Sequence, residues 1–280
     1  MRSAAAQLDD RFLLLDGSGY FESNWLDLVP ALANEVLVAT LRRRAPGGTA
    51  AAGVYLASRA LPAHLPAGGS FEDALAQIRA SDAVAQRLHE GAFLPPDAPH
   101  VDVESVVARP RPAVFFDRDG TINLNTHYPH KGEQLAFLPG AIDAVKRVND
   151  LGYYAFLVTN QSGVARGYFT EPQVHAFHAL IQRHLRAAGA HFDDIRYCPY
   201  LKGASVAEYD RDSDWRKPRP GMILDLIKHW PIDQKQSLVI GDQDSDMQAA
   251  VAANLRGVRY SGGRVDEVLM THLYERAKLV

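Results

Sequence analysis

The chain has 280 residues, of which 47% are hydrophobic and 22% charged, the composition of a folded globular protein and not of a disordered one. Its formal net charge of −3 gives no bulk attraction to nucleic acid or to an anionic membrane. A single cysteine excludes an intrachain disulfide and a cysteine-rich metal cluster, so the expectation is a cytoplasmic protein of one large or two modest domains.

In chain order, the opening segment MRSAAAQLDDRFLLL carries a basic residue and alanines, but Asp9, Asp10 and Arg11 interrupt the apolar core a targeting segment needs. The longest apolar stretch, Leu26–Leu41, is broken by Asp27, Asn34 and Glu35 and falls short of the ~20 residues of a spanning helix. No lysine precedes Lys131, and the alanine-rich N-terminal region ends in Leu94-Pro-Pro-Asp-Ala-Pro99 and Arg109-Pro-Arg-Pro112. Proline at that spacing blocks helix and stiffens a linker, which places a domain boundary between residues 108 and 109.

After the boundary, strand-like and helix-like segments alternate. Ala113–Phe116 and Tyr154–Thr159 are short apolar runs rich in aromatic and β-branched residues, as expected of strands buried on both faces. Ala141–Leu151 and Pro172–Leu185 carry apolar residues at helical spacing, the second through Val174, Phe177, Ile181 and Leu185. Further strands are expected at Asp194–Cys198, Ser237–Ile240 and Gly257–Tyr260, and helices at Met222–His229 and Ser245–Ala253. The alternation predicts an α/β domain over 109–280, a parallel sheet with helices on both faces. Ligands of such sheets collect at the carboxyl ends of the strands.

Four motifs fall at those ends. Val114-Phe-Phe-Asp117-Arg-Asp119-Gly-Thr121 runs an apolar strand into two aspartates and a glycine. Carboxylates this close repel unless a cation or a shared proton relieves them, although an Asp-x-Asp-Gly surface turn is an equal reading. Phe156-Leu-Val-Thr159-Asn160-Gln-Ser-Gly163 offers hydroxyl and amide groups to a phosphate, or simply caps a helix. Arg216-Lys217-Pro-Arg-Pro-Gly221 sets a lysine before a helix start, where it either meets an anion or is solvated. Leu238-Val-Ile-Gly241-Asp242-Gln-Asp-Ser-Asp246 ends a strand in acids that also suit a helix N-terminus.

In this order and at these places, the four motifs resemble those of the haloacid dehalogenase superfamily of aspartate-nucleophile phosphatases, over about residues 110–262. The resemblance implies a Rossmannoid fold, and the short span from Thr121 to Thr159 leaves no room for a large cap. It implies that Asp117 is the nucleophile, Asp119 the acid and base, and that Thr159 and Lys217 position the phosphate. Mg²⁺ would be held by Asp117, the Asp119 backbone carbonyl and Asp242, with Asp246 orienting the metal site or Lys217.

Asp117–Asn123, Tyr128-Pro-His130, Thr159–Gly167 and Arg216–Gly221 look like the group that contains heptose-bisphosphate and histidinol-phosphate phosphatases. By that resemblance Tyr128, His130, Asn160, Arg166 and Arg216 are candidate substrate contacts, ordinary loop packing being the other reading of Tyr128 and His130. Members of the group commonly hold a zinc through Cys-x-His and a later Cys-x-Cys; here Cys198-Pro-Tyr200 and Ser213-Asp-Trp215 stand there, so no zinc is expected. Tyr200, Tyr209 and Trp215 are expected to hold that loop by packing instead. Gln243 follows Asp242 where heptose phosphatases often have lysine.

Phe12–Phe21, Asn24–Leu28 and Ala51–Leu56 look like the later part of a sugar-1-phosphate nucleotidyltransferase, over roughly residues 10–100. The nucleotide loop is absent and Ser18 stands where a metal-binding aspartate is expected, so residues 1–108 are read as a degenerate, smaller mixed α/β region. That region is expected to pack against the phosphatase or to join copies of the chain into a homo-oligomer. A phosphatase that leaves a sugar 1-phosphate would feed such a transferase, which favours a small phosphorylated sugar, heptose 1,7-bisphosphate, over histidinol phosphate. A polynucleotide 3′-phosphatase and a non-catalytic transferase subunit are the remaining alternatives. Arg42-Arg43-Arg44 is the sole tight basic run outside the lysine motif, so no nucleic-acid partner is expected.

Overall fold

The computed structural model describes residues 109–277 without a break and, ahead of them, 9–15, 20–21, 24–32, 36–45, 48–65, 71, 75–76, 78, 83–89 and 93–94. Ser18 and the proline-containing stretch from 95 to 108 lie outside the described residues. The chain forms two compact units, the first made mainly of the N-terminal segments and the second of the continuous region.

In the first unit, strands β1 (Arg11–Leu15), β2 (Tyr20–Phe21), β3 (Val38–Ala45), β4 (Gly48–Ser58), β5 (Val84–His89) and β6 (Phe93–Leu94) accompany two single-turn helices, α1 (Leu28–Ala31) and α2 (Leu61–His64). Four strands form a mixed sheet in the order β1-β4-β3-β5, with β3 and β5 parallel and the other pairs antiparallel. Alternation along β4 sends Val54 and Leu56 to a cluster with Leu28 and Leu41, and Tyr55 and Ala57 to another with Leu61 and Leu75. The sheet is therefore covered on both faces.

The second unit runs β7 (Ala113–Phe116), α3 (Ala141–Asp150), β8 (Tyr154–Asn160), α4 (Glu171–Ala187), β9 (Asp194–Cys198), α5 (Gly221–His229), β10 (Leu238–Gly241), α6 (Asp244–Ala252), β11 (Arg256–Arg259) and α7 (Val265–Ala277). Its five strands are all parallel, in the order β11-β10-β7-β8-β9. Alternation again divides the apolar residues. Val114, Phe116, Ala155, Leu157, Leu238 and Ile240 pack with residues of α3, α4 and α7. Ala113, Phe115, Phe156, Val158 and Val239 pack with residues of α5 and α6. Burial on both faces is why these strands read as unbroken apolar runs in the sequence.

Local signals set the helix starts. Thr170 precedes α4, and Gln173 three residues on reaches back to accept from its N–H at 2.9 Å, as in a capping box, with Pro172 in the first turn. β10 begins at Leu238 and not Ser237, because the Ser237 hydroxyl accepts the Ala113 N–H at 2.8 Å in place of a strand carbonyl. Helix α7 was not expected from the sequence, though Val265, Leu269 and Leu273 recur at helical spacing and are buried. Between β7 and α3 there is only a loop with one 3₁₀ turn, Gly132–Gln134, and no cap domain. Among the described residues no helix is long and apolar enough to cross a membrane.

Candidate active site

Strand β7 delivers the first motif to the carboxyl edge of the sheet. The Asp117 N–H donates to the Ile240 carbonyl at 2.9 Å, so Asp117 is the last residue tied to β10 before the chain turns. Gly120 makes that turn with φ +91°, and a Cβ there would overlap the Asp242 carboxylate. At the end of β10, Gly241 is required for a similar reason, since a Cβ would overlap the carboxylate of Asp246 on α6. Both glycines are thus explained by carboxylates packed against backbone.

Lys217 reaches the same place from the segment before α5. Its backbone is fastened to the end of β8 by Asn160, whose Oδ1 accepts the Lys217 N–H and whose Nδ2 donates to the Lys217 carbonyl, both at 3.0 Å. The buried ammonium donates to Asp117 Oδ1 at 2.6 Å and to the Val158 carbonyl at 2.8 Å, and pairs with Asp246 Oδ1 at 2.6 Å. The ammonium thus makes two hydrogen bonds and shares its charge between two carboxylates.

The charges there do not balance. Ligand atoms of Asp117, Asp242 and Asp246 lie within 4.8 Å of one another, against one lysine. Burial pushes the Asp117 carboxyl up to about 7; Lys217 opposes the rise and Asp246 adds to it. Burial likewise raises Asp242 above the usual carboxylate range. Burial works against the Lys217 ammonium, but the Asp117 and Asp246 carboxylates outweigh it and its pKa rises. Asp242 Oδ1 is buried with no hydrogen-bond partner. A crowded set of hard oxygen ligands with one oxygen unpartnered fits a small divalent cation such as Mg²⁺.

Asp119, two residues on, faces different partners. Its Oδ1 accepts from Arg118 Nε at 3.0 Å and Asn123 Nδ2 at 2.9 Å, and its Oδ2 from Arg118 Nη2 at 2.8 Å and Gln161 Nε2 at 2.9 Å. Gln161 also donates to Thr159 Oγ1 at 2.9 Å, which leaves the threonine O–H to point elsewhere.

These groups line a cavity of about 430 Å³ formed by Asp117, Asp119, Asn125, His127, Tyr128, Thr159, Asn160, Lys217, Gln243, Ser245 and Asp246. The structure brings together the expected Asp117, Asp119, Thr159, Lys217 and Asp246, with Tyr128 and Asn160, and sets Asp242 beside Asp117 and Asp246. It does not bring His130, Arg166 or Arg216 to the lining. The His130 ring stacks on Phe169 and its Nδ1 meets the Tyr128 carbonyl at 2.8 Å, so it supports the loop from behind. Arg166 is exposed on the turn after β8, and Arg216 Nη1 turns to the Tyr200 carbonyl at 3.5 Å.

Sequence reasoning missed Asn125, His127 and Ser245 in the lining and Arg118, Asn123 and Gln161 around Asp119. His127 and Tyr128 both have positive φ, +56° and +60°, a backbone strain that no residue pattern announces. Arg118 and Gln161 sat inside motifs already singled out, and only their roles were invisible.

Farther along the edge, Cys198 is buried with its thiol toward the Tyr200 carbonyl at 3.9 Å. Tyr200, Ser213 and Trp215 line a second cavity of about 360 Å³. Trp215 packs in the same apolar cluster as Tyr200 and Cys198. Tyr197 and Tyr209 both donate their hydroxyls to Glu171 at the start of α4, the second at 2.9 Å, and Arg211 lies 3.5 Å over the Tyr200 ring. Among the described residues, the group at metal-ligand spacing is the Asp117–Asp242–Asp246 set.

A parallel sheet of order β11-β10-β7-β8-β9 that carries an Asp-x-Asp, a threonine, a lysine and an Asp-x-x-x-Asp to one edge defines a haloacid dehalogenase-like (HAD-like) hydrolase. Comparison with known proteins agrees. The HAD-hydrolase-like family model matches residues 214–280. The chain is 47% identical over 165 residues to a D-glycero-β-D-manno-heptose-1,7-bisphosphate 7-phosphatase of Rhodopseudomonas palustris, covering 59% of this chain and 92% of that protein. It is 42% identical over 149 residues to the protein of the same name from Escherichia coli K12, covering 53% and 78%. A solved structure described as a HAD-like phosphatase from Mesorhizobium loti superposes with a TM-score of 0.54 at 31% identity, covering 59% and 88%. The chain belongs to the HAD-like phosphatase family, and it is a phosphoric monoester hydrolase.

Proposed function

We propose that the protein removes the 7-phosphate of D-glycero-D-manno-heptose 1,7-bisphosphate, leaving heptose 1-phosphate, through an acyl phosphate on Asp117. The observation that carries the chemistry is the buried Asp117 carboxylate held at 2.6 Å by Lys217 beneath an open polar cavity. The relatives named for this substrate support its choice, as does a lining rich in amides and hydroxyls, Asn125, Asn160 and Ser245, suited to sugar hydroxyls.

An Asp117 oxygen attacks phosphorus, the bond from phosphorus to the sugar oxygen breaks, and the departing alkoxide takes a proton from Asp119. Water then attacks the phosphorus of the acyl phosphate and gives a proton back to Asp119, and inorganic phosphate leaves with the Asp117 carboxylate restored. Lys217 and the Thr159 hydroxyl neutralise and orient the phosphoryl oxygens during both displacements. Asn160 keeps Lys217 in place through its two backbone hydrogen bonds, and Asp246 holds the ammonium from the other side. Asp117, Asp242 and the Asp119 carbonyl would hold Mg²⁺; when bound, the ion supplies the positive charge that lets a carboxylate approach a phosphate dianion. Tyr128 and Asn160 are the substrate contacts retained from the sequence reading; His130 acts through Tyr128.

The loop after β9 takes no zinc in this reading. One thiol, among Tyr200, Ser213 and Trp215, makes no tetrahedral site. Residues 1–108 are a degenerate nucleotidyltransferase-like region without chemistry of its own. Lys217 is the one lysine or arginine in the lining, which does not suit a polynucleotide track. Phosphate release from heptose 1,7-bisphosphate, histidinol phosphate and a 3′-phosphorylated oligonucleotide, each with Mg²⁺ and with chelator, tests the reading. Heptose bisphosphate is expected to be hydrolysed fastest and only with Mg²⁺; faster turnover of either other ester overturns the substrate.

A further inference from the structure

Arg118 stands between the two aspartates of the first motif, and its side chain is buried, at 1% exposure. Neighbours on an extended strand point to opposite sides; Arg118 and Asp119 meet beyond the end of β7, where the Arg118 carbonyl already accepts the Ile122 and Asn123 N–H groups of a turn at 2.8 and 3.0 Å. A guanidinium removed from water has to recover its hydration through hydrogen bonds. Arg118 does so in four directions. Nε and Nη2 grip the two oxygens of Asp119 at 3.0 and 2.8 Å, and Nη2 also donates to the Pro129 carbonyl at 2.9 Å. Nη1 faces His178 Nε2 on α4 at 3.3 Å, and the guanidinium lies 4.9 Å over the Phe177 ring.

His178 is buried, and its pKa is held well below the usual histidine range by that burial and by the Arg118 charge. It is therefore the neutral imidazole whose Nε2 accepts from Arg118. Asn123 and Gln161 each add one further hydrogen bond, one to each Asp119 oxygen. The bidentate grip fixes the plane of that carboxylate as well as its position. Pro129 follows Tyr128, which lines the cavity, so the same guanidinium ties the Asp119 side chain to the loop at the cavity wall.

We propose that Arg118 is a positioning residue for proton transfer: braced by His178 and the Pro129 carbonyl, it holds the Asp119 carboxylate in the one orientation from which it serves the leaving oxygen. The proposal rests on the reading that Asp119 protonates the leaving group. A purely structural arginine would affect all substrates alike, whereas a positioning one matters only where the leaving group needs a proton. An alkoxide needs one and 4-nitrophenolate does not.

The test compares kcat/KM of wild type, Arg118→Lys, Arg118→Met and His178→Leu, with Mg²⁺, on 4-nitrophenyl phosphate and on a primary alkyl phosphate. The alkyl ester is heptose 1,7-bisphosphate or the sugar phosphate the wild type hydrolyses fastest. Arg118→Met is expected to lower the alkyl value about 30- to 100-fold, a part of what acid–base catalysis supplies, and the aryl value less than about fivefold. Arg118→Lys, which keeps the charge and loses the fork, should fall between. His178→Leu, which leaves Arg118 in place, should show the same skew at about 3- to 10-fold and decides the matter if Arg118→Met does not fold. Equal losses on both esters, or none, overturn the proposal. A wild type inactive on heptose bisphosphate but active on other alkyl esters overturns the substrate reading alone, and the ratio still judges Arg118.

Discussion

Replacing Asp117 by asparagine separates the chemistry of the site from its cost to folding. Burial lifts the Asp117 carboxyl from 3.8 to about 7 in the metal-free protein. A carboxyl whose folded pKa is raised contributes stability in full below its unfolded value, and loses it as pH rises through the folded value. The window therefore runs from about pH 4 to about pH 7, at up to about 1.4 kcal/mol per pH unit, or on the order of 4 kcal/mol across it. Asparagine has the same shape and offers Lys217 an oxygen, but it never ionises, and Lys217 remains paired with Asp246 at 2.6 Å. In chelator, Asp117→Asn should be more stable than wild type at pH 8 by about 2–4 kcal/mol, and the advantage should shrink toward pH 5. Turnover should fall at least about 10³-fold, because the nucleophile is gone. Urea denaturation at the two pH values and phosphate release measure the two halves. A stability difference unchanged between pH 5 and 8, or a wild type more stable at pH 8, refutes the electrostatic reasoning; near-normal turnover refutes Asp117 as nucleophile.

Gly120→Ala places a methyl group into the Asp242 carboxylate at a residue with φ +91°, so Mg²⁺ titration should show affinity weakened at least about tenfold, with about 1–2 kcal/mol of backbone cost; unchanged affinity would contradict the packing. Glu171→Gln weakens the acceptor shared by Tyr197 and Tyr209, and limited proteolysis should cut faster between 199 and 215, with a stability loss of about 1 kcal/mol. His178 has a depressed pKa, so the stability it allows is present above 6.5 and lost as pH falls below it. His178→Gln should flatten the acid limb of the stability profile by up to about 1.4 kcal/mol per pH unit, read from denaturation midpoints between pH 4 and 7.

The sequence determined the sheet and the chemistry at its edge for one physical reason. Strands buried on both faces must be short, continuous and apolar, so a polar or charged residue at the end of such a run marks where backbone leaves the core. Asp117, Thr159 and Asp242 stand out that way, and Lys217 through the order of motifs. The sequence could not say which charged groups look at one another. That Asp246 pairs with Lys217 while crowding Asp117, that His130 stacks behind the loop on Phe169, and that Arg118 meets Asp119 depend on the turns that follow β7 and β10 and on helices α4 and α6 arriving from distant positions. Local pattern records which face of a strand or helix is apolar; contacts among polar side chains at a strand edge carry no period. Only the tertiary structure decides them, because each is fixed by several segments meeting in space.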